Sequence, residues 1–235
     1  MNYQTQEDIL KDKEIREEIQ KYLYKNSLTS FFSNWGHRKV QNIKKNYLKQ
    51  TNKAILETLD LCCGLGYNCN YLNDFENYTG IDYNENFIAE AQKSYPKHQF
   101  INKSVLEKDW SLNKKFDVIT AIQALEHFSN NDLQIIFDNI INNLKEDGIF
   151  IYIIPLDSSL LINFGRELTT KRYMNSRFKN MDYMKWLKNN EHINEYSSIV
   201  KEVKEKFSLV KEIFMPINLK IININIYSIG VCKLK

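Results

Sequence analysis

Five short apolar runs, separated by stretches of helical character, constrain this chain more than any other feature. The runs occupy residues 58–63, 78–83, 99–103, 116–122 and 149–154; the third is the weakest and the last two (FDVITAI and IFIYII) are the plainest. Between those last two lies the clearest helix. Leu133, Ile136, Phe137, Ile140, Ile141 and Leu144 recur at i, i+3, i+4, i+7, i+8 and i+11, which gathers them on one helical face. Residues 129–132 supply capping side chains before it, and Gly148 supplies a stop after it. A chain that alternates strand and helix in this way must cross over from strand to strand, so its sheet is parallel and its helices cover both faces.

The flanks depart from the alternation. Residues 6–26 read as a helix, with Ile15, Ile19, Tyr22 and Leu23 at helical spacing on a charged background. Residues 27–38 (SLTSFFSNWGHR) break that pattern, and a second helical stretch covers 39–48. Residues 158–190 interrupt the pattern again and read as an inserted helical lid. In the tail, 207–214 and 221–234 read as strands joined by a loop containing Pro216. That loop is too short for a crossover helix, so the pair is antiparallel. The expected fold is α/β: a doubly wound, mostly parallel seven-stranded sheet with an antiparallel C-terminal strand, an N-terminal helical cap and a helical lid insertion. The 235 residues suit one domain, 1–235, divided into a cap (1–50), a core (55–157), the lid (158–190) and a C-terminal helix with the strand pair (191–235).

Composition narrows the class. Hydrophobic residues at 43% and charged residues at 26% are those of an ordinary soluble protein, and a net charge of +3 is too mild for a dedicated nucleic-acid binder. The first twenty residues are polar and charged and no apolar run approaches membrane-spanning length, so a cytoplasmic protein without a membrane partner is expected. The four cysteines, Cys62, Cys63, Cys69 and Cys232, lack the paired spacing of a zinc site. They read as thiols of a reducing compartment, and no metal site is expected.

The first apolar run leads into a glycine turn, Leu59-Asp60-Leu61-Cys62-Cys63-Gly64-Leu65-Gly66. Glycines there let a ligand approach the backbone. The second run ends in Gly80-Ile81-Asp82-Tyr83, and a carboxylate at that strand end can accept hydrogen bonds from a ribose diol. A dinucleotide site wants a third glycine, three residues after Gly66, where this chain has Cys69. An adenosyl group without a pyrophosphate tolerates the looser turn.

These residues resemble the class I, Rossmann-like, S-adenosylmethionine-dependent methyltransferases, over roughly residues 58–155. LDLCCGLG resembles the family's first motif, with Cys62 where glycine is common. TGIDYNENFIAEAQ resembles the second, FDVITAIQALEHF the fourth, and KEDGIFIYIIP the fifth strand with its approach. The antiparallel tail also matches the family's last two strands. The resemblance implies S-adenosyl-L-methionine as the cofactor. It further implies that Asp60 orients the methionine end through the loop, that the backbone at Cys62, Gly64 and Gly66 flanks the cofactor, and that Asp82 holds the ribose hydroxyls. Tyr83 would lie beside the adenine, Ser104 and Val105 at its edge (Asp is commoner than Ser there), and Gln123 would line the methionine end with its carbonyl.

Methyl transfer needs the acceptor aligned with the sulfonium, and a hydroxyl acceptor also has to lose a proton. Glu126 and His127 follow the fourth strand, where ligands of open parallel sheets sit. His127 is the candidate base, Glu126 reads as a brace, and His37, His98 and His192 read as surface or structural. The stretch 163–190 holds seven cations against two anions, five net positive charges against three for the whole chain, with aromatics interleaved. Arg166, Arg172 and Tyr173 are the candidate substrate ligands. The aromatic segment with Phe31, Phe32, Trp35 and Arg38 either closes over the cofactor or packs on the sheet. The expected activity is methylation of a hydroxyl, or less readily an amine, of a small anionic metabolite such as a phosphorylated or nucleotide-linked sugar. The alternatives are an RNA or quinone or lipid-precursor methyltransferase, and a non-catalytic adenosyl-binding protein. Ile122-Gln123-Ala124-Leu125 stands where base-methylating relatives carry a Pro-Pro motif, so DNA is not expected and RNA is disfavoured. The oligomeric state is left open.

Overall fold

The structure, a computed structural model, describes residues 6–25, 27–108, 110–179 and 181–235, with the side chains of 6–13, 24, 25 and 27–29 outside the description. Two helices open it, α1 (Gln6–Lys25) and α2 (Ser27–Thr51). The core follows as β1 (Leu56–Leu61), β2 (Glu76–Asp82), α3 (Glu85–Ser94), β3 (Gln99–Asn102), β4 (Phe116–Ile122), α4 (Asn130–Asn143) and β5 (Leu144–Pro155). Three short helices come next, α5 (Leu160–Leu168), α6 (Thr170–Arg177) and α7 (Tyr183–Trp186). The chain closes with α8 (Tyr196–Lys206), β6 (Phe207–Met215) and β7 (Tyr227–Leu234).

The seven strands form one sheet in the order β3-β2-β1-β4-β5-β7-β6. The first five are parallel, β7 runs antiparallel to β5, and β6 antiparallel to β7. This is the expected architecture, and the period-two pattern of the strands explains its two faces. Leu59, Leu61, Ile119, Ala121, Phe150 and Tyr152 pack with Leu133, Ile136, Phe137 and Ile140 of α4 and Ile199 and Val203 of α8. The intervening Val118, Ile149, Ile151 and Ile153 pack with Val40 and Tyr47 of α2. Both faces are therefore covered, as parallel strands require. Among the described residues, no helix is long and apolar enough to cross a membrane.

Several boundaries differ from expectation. The break at 27–38 does not occur: α2 runs through it to Thr51. Gly36 lies against β5, and a Cβ there would come 3.3 Å from Ile153 Cδ1, so the glycine serves close helix–sheet contact. The first helix ends at Lys25, and Asn26 lies outside the described residues. Leu144, grouped with α4 by its spacing, is instead the first residue of β5. It pairs with Phe116 before an irregularity, after which Val118 pairs with Ile149, and it stays buried in either role. The last strand starts at Tyr227, because residues 217–226 are a loop held by Asn225. Asn225 donates to the carbonyls of Leu219 and Ile221 and accepts from the amide of Ile217.

Candidate functional site

The carboxyl ends of β1, β2 and β4 meet at the glycine turn. Cys62, Gly64 and Gly66 all take positive φ, at 54°, 53° and 73°, a region glycine enters at little cost and cysteine does not. Gly66 has a second reason to be glycine: a Cβ would meet the Phe100 ring at 2.9 Å. The turn is pinned to β2 by the Cys63 amide on the Ile81 carbonyl and by the Gly64 amide on Asp82 Oδ2, at 2.9 Å. Asp82 Oδ1 accepts the Asn84 amide, also at 2.9 Å. Burial raises the Asp82 pKa, while these amides oppose the rise. Burial likewise pushes the Cys62 thiol well up, with the carboxylates of Asp82, Asp60 and Glu126 adding to it.

The other expected cofactor residues fall around this turn with unequal exposure. Asp60 is buried and accepts from Thr120 Oγ1 at 2.5 Å, Tyr78 at 2.8 Å and Asn68 at 3.3 Å. Through Asn68 it reaches the short 3-10 turn that continues the loop. Tyr83 is 64% exposed, and its hydroxyl accepts from Arg16 of α1 at 3.3 Å. Ser104 Oγ accepts the Leu106 amide, and the Val105 carbonyl accepts from Asn139 of α4, so both shape the loop after β3. Gln123 also has positive φ, 51°, and its amide donates to the Ile153 carbonyl.

Glu126 and His127 lie in a 3-10 turn just beyond β4. Glu126 is 1% exposed, burial raises its pKa, and Oε2 is buried without a hydrogen-bond partner among the described residues. His127 Nδ1 lies 2.8 Å from the Glu191 carbonyl oxygen. His192, read from sequence as surface or structural, stands edge-on to His127 with ring centroids 5.3 Å apart. Its Nδ1 lies 2.6 Å from Asp157 Oδ2, and Arg166 donates to Asp157 Oδ1 at 2.7 Å. Burial pushes the Asp157 pKa up, but His192 and Arg166 together hold it below the usual carboxylate range. Sequence reasoning did not bring His192 and Asp157 together with His127. The one available signal was position, since Asp157 follows the end of β5 and His192 the end of the lid.

The substrate candidates separate. Arg166 is engaged by Asp157, and the Tyr173 hydroxyl donates to Glu18 while its ring stacks on Tyr22 at 4.1 Å. Arg172 is exposed. The cap and lid touch through Ile15, which is buried with Met174, Tyr183 and Leu187, and through Arg16, which pairs with Glu191. Gln20 lies over the turn, where a Cβ on Gly64 would meet its amide oxygen at 2.8 Å. His37 is buried within α2 against Asn68, and Arg38 is exposed.

A family model described as a methyltransferase domain matches residues 19–203. Among curated proteins no sequence matches. Solved structures do match in fold. An S-adenosylmethionine-dependent methyltransferase from Clostridium acetobutylicum is 16% identical, with TM-score 0.61, over 89% of this chain and 99% of that one. The magnesium protoporphyrin IX methyltransferase of Synechocystis, solved with bound SAM, is 12% identical, with TM-score 0.62, over 100% of both. The plantazolicin methyltransferase BpumL is 16% identical, with TM-score 0.60, over 98% of this chain and 100% of that one.

Proposed function

The chain belongs to the methyltransferase-domain family, and from that premise we propose that it transfers a methyl group from S-adenosyl-L-methionine to a hydroxyl, or less readily an amine, of a small anionic metabolite. The observation that carries this reading is the Asp82 carboxylate, tied to the Gly64 amide at the mouth of the glycine turn. The residues fit an adenosyl group. Asp82 Oδ2 takes the Gly64 amide and Oδ1 the Asn84 amide, and a carboxylate has acceptor capacity beyond these for a ribose diol. Gly64 faces the Gln20 side chain of α1, which a Cβ would meet at 2.8 Å, and Tyr83 offers an exposed ring beside the turn for the adenine.

When bound, S-adenosylmethionine supplies a sulfonium methyl whose S–C bond breaks as an O–C bond to the acceptor forms. The chain's part is to align the two partners and receive the proton. His127, with Nδ1 on the Glu191 carbonyl, keeps the Nε2 lone pair for the acceptor hydroxyl. The anionic preference rests on the exposed cations of the lid, Arg172, Lys179, Lys185 and Lys188. Arg166 serves indirectly, by fixing Asp157, and Tyr173 by joining the lid to the cap.

Calorimetry tests the reading. S-adenosylmethionine and its demethylated product should bind and NAD should not. Asp82→Ala should weaken binding by about 2 kcal/mol, the loss of a charged acceptor of two hydroxyls. NAD binding without adenosyl binding would overturn the assignment.

A further inference from the structure

Glu126, His127 and His192 together offer a second chemistry, in which His127 serves as a ligand in place of the base described above. Each offers one ligand atom, and the three atoms lie within 4.8 Å of one another. Two residues come from the turn beyond β4 and one from the far end of the lid, so the fold alone brings them together. Two further observations point to a cation. The first is Glu126 Oε2, buried with no donor among the described residues. A carboxylate oxygen in that state is costly unless something positive meets it. The second is the engagement of both rings through Nδ1, His127 on the Glu191 carbonyl at 2.8 Å and His192 on Asp157 Oδ2 at 2.6 Å. With acceptors there, Nδ1 holds the proton and Nε2 keeps its lone pair. Outer partners of this kind fix the tautomer and raise the basicity of a metal-bound histidine. Asp157 is itself held by Arg166, so the support extends one residue further.

We propose that Glu126, His127 and His192 bind one divalent transition-metal ion through one carboxylate oxygen and two Nε2 atoms, with coordination positions left for an oxygen of the methyl acceptor. Two imidazoles and a carboxylate suit Zn2+ or Fe2+, whereas Mg2+ and Ca2+ favour oxygen ligands. The inference rests on the proposed function only for the place of the acceptor. With the ion bound, Nε2 of His127 is a ligand, the ion polarises the acceptor hydroxyl, and the hydroxyl proton leaves to water.

The test is a titration of chelator-treated protein with Zn2+ against a chromophoric competitor, with S-adenosylhomocysteine binding measured in parallel. The wild type should take up one Zn2+ per chain. His192→Ala and Glu126→Gln should each weaken Zn2+ binding by about tenfold or more, and Asp157→Asn, which touches no ion, by about tenfold. Retained S-adenosylhomocysteine binding shows that a variant is folded. Wild type without stoichiometric Zn2+, or His192→Ala with unchanged Zn2+ affinity, overturns the metal site. Wild type that binds Zn2+ but no S-adenosylhomocysteine overturns the cofactor reading instead, so the two failures are distinct.

Discussion

Burial holds His37 neutral. The ring is 2% exposed, stacks on Tyr71 at 4.8 Å and has Nδ1 3.1 Å from Asn68 Oδ1. Loss of solvent, with Lys44 adding to it against the Asn68 bond, lowers its pKa from 6.5 to about 4. The unfolded chain therefore takes up this proton first as the pH falls, and stability is lost between 6.5 and about 4. Between pH 7 and 5 the loss from this one group is about 2 kcal/mol. His37→Gln, which cannot titrate, should flatten the difference in urea-unfolding free energy between those pH values by about that amount. An unchanged difference would mean that His37 is solvated. At this scale the sequence marked Gly64, Gly66 and Asp82, because a turn at positive φ and a carboxylate at a strand end are backbone requirements with narrow residue choices. It could not mark His192 or Asp157, whose meeting depends on where the lid returns. Nor could it show that Arg166 and Tyr173 are engaged by Asp157 and Glu18, since charge counts along a segment carry no information about pairing.

Among the elements, the junction of β5 and β7 depends on one missing methyl. Gly230 sits directly opposite Tyr152, whose fully buried ring lies across it, and a Cβ at 230 would fall inside that ring. Tyr152 is walled in by Phe150, with ring centroids 5.9 Å apart, and cannot swing aside cheaply. Gly230→Ala should therefore cost about 3 kcal/mol or more in urea unfolding. Adding Tyr152→Leu should recover most of that loss, a coupling expected only of residues in contact. A single variant within about 1 kcal/mol of wild type would show that the ring relocates freely. The strands themselves were legible because period-two burial on both faces leaves long apolar runs. The helix α2 was not, because its aromatic first half lacks a stripe and contains Gly36, whose purpose is contact with Ile153. The extra N-terminal length of β5 was equally hidden, since Leu144 satisfies both the helical spacing of α4 and the strand pairing with Phe116.

For the whole molecule, the sheet and its cover divide the apolar burial unevenly. Both large clusters on the sheet form without residues of α1 or of the lid helices α5–α7. A separate, smaller cluster joins Ile15 of α1 to Met174, Tyr183 and Leu187. Local stability follows local burial, so cap and lid should open together, at lower cost than the sheet. That shared motion bears on the site, because α1 also sets Arg16 between Tyr83 and Glu191 and Gln20 over Gly64. Ile15→Asp places a charge in the small cluster and should undock the cap without touching the sheet. Hydrogen exchange at Met174 and Tyr183 should rise by about tenfold or more, while Ile119 and Ile151 stay protected. S-adenosylhomocysteine affinity should fall by about tenfold, since the cap then no longer holds Tyr83 and the turn in one arrangement. Exchange that rises equally in lid and sheet would make the molecule one cooperative unit. A freed lid with unchanged affinity would show that the cofactor site is complete without its cap.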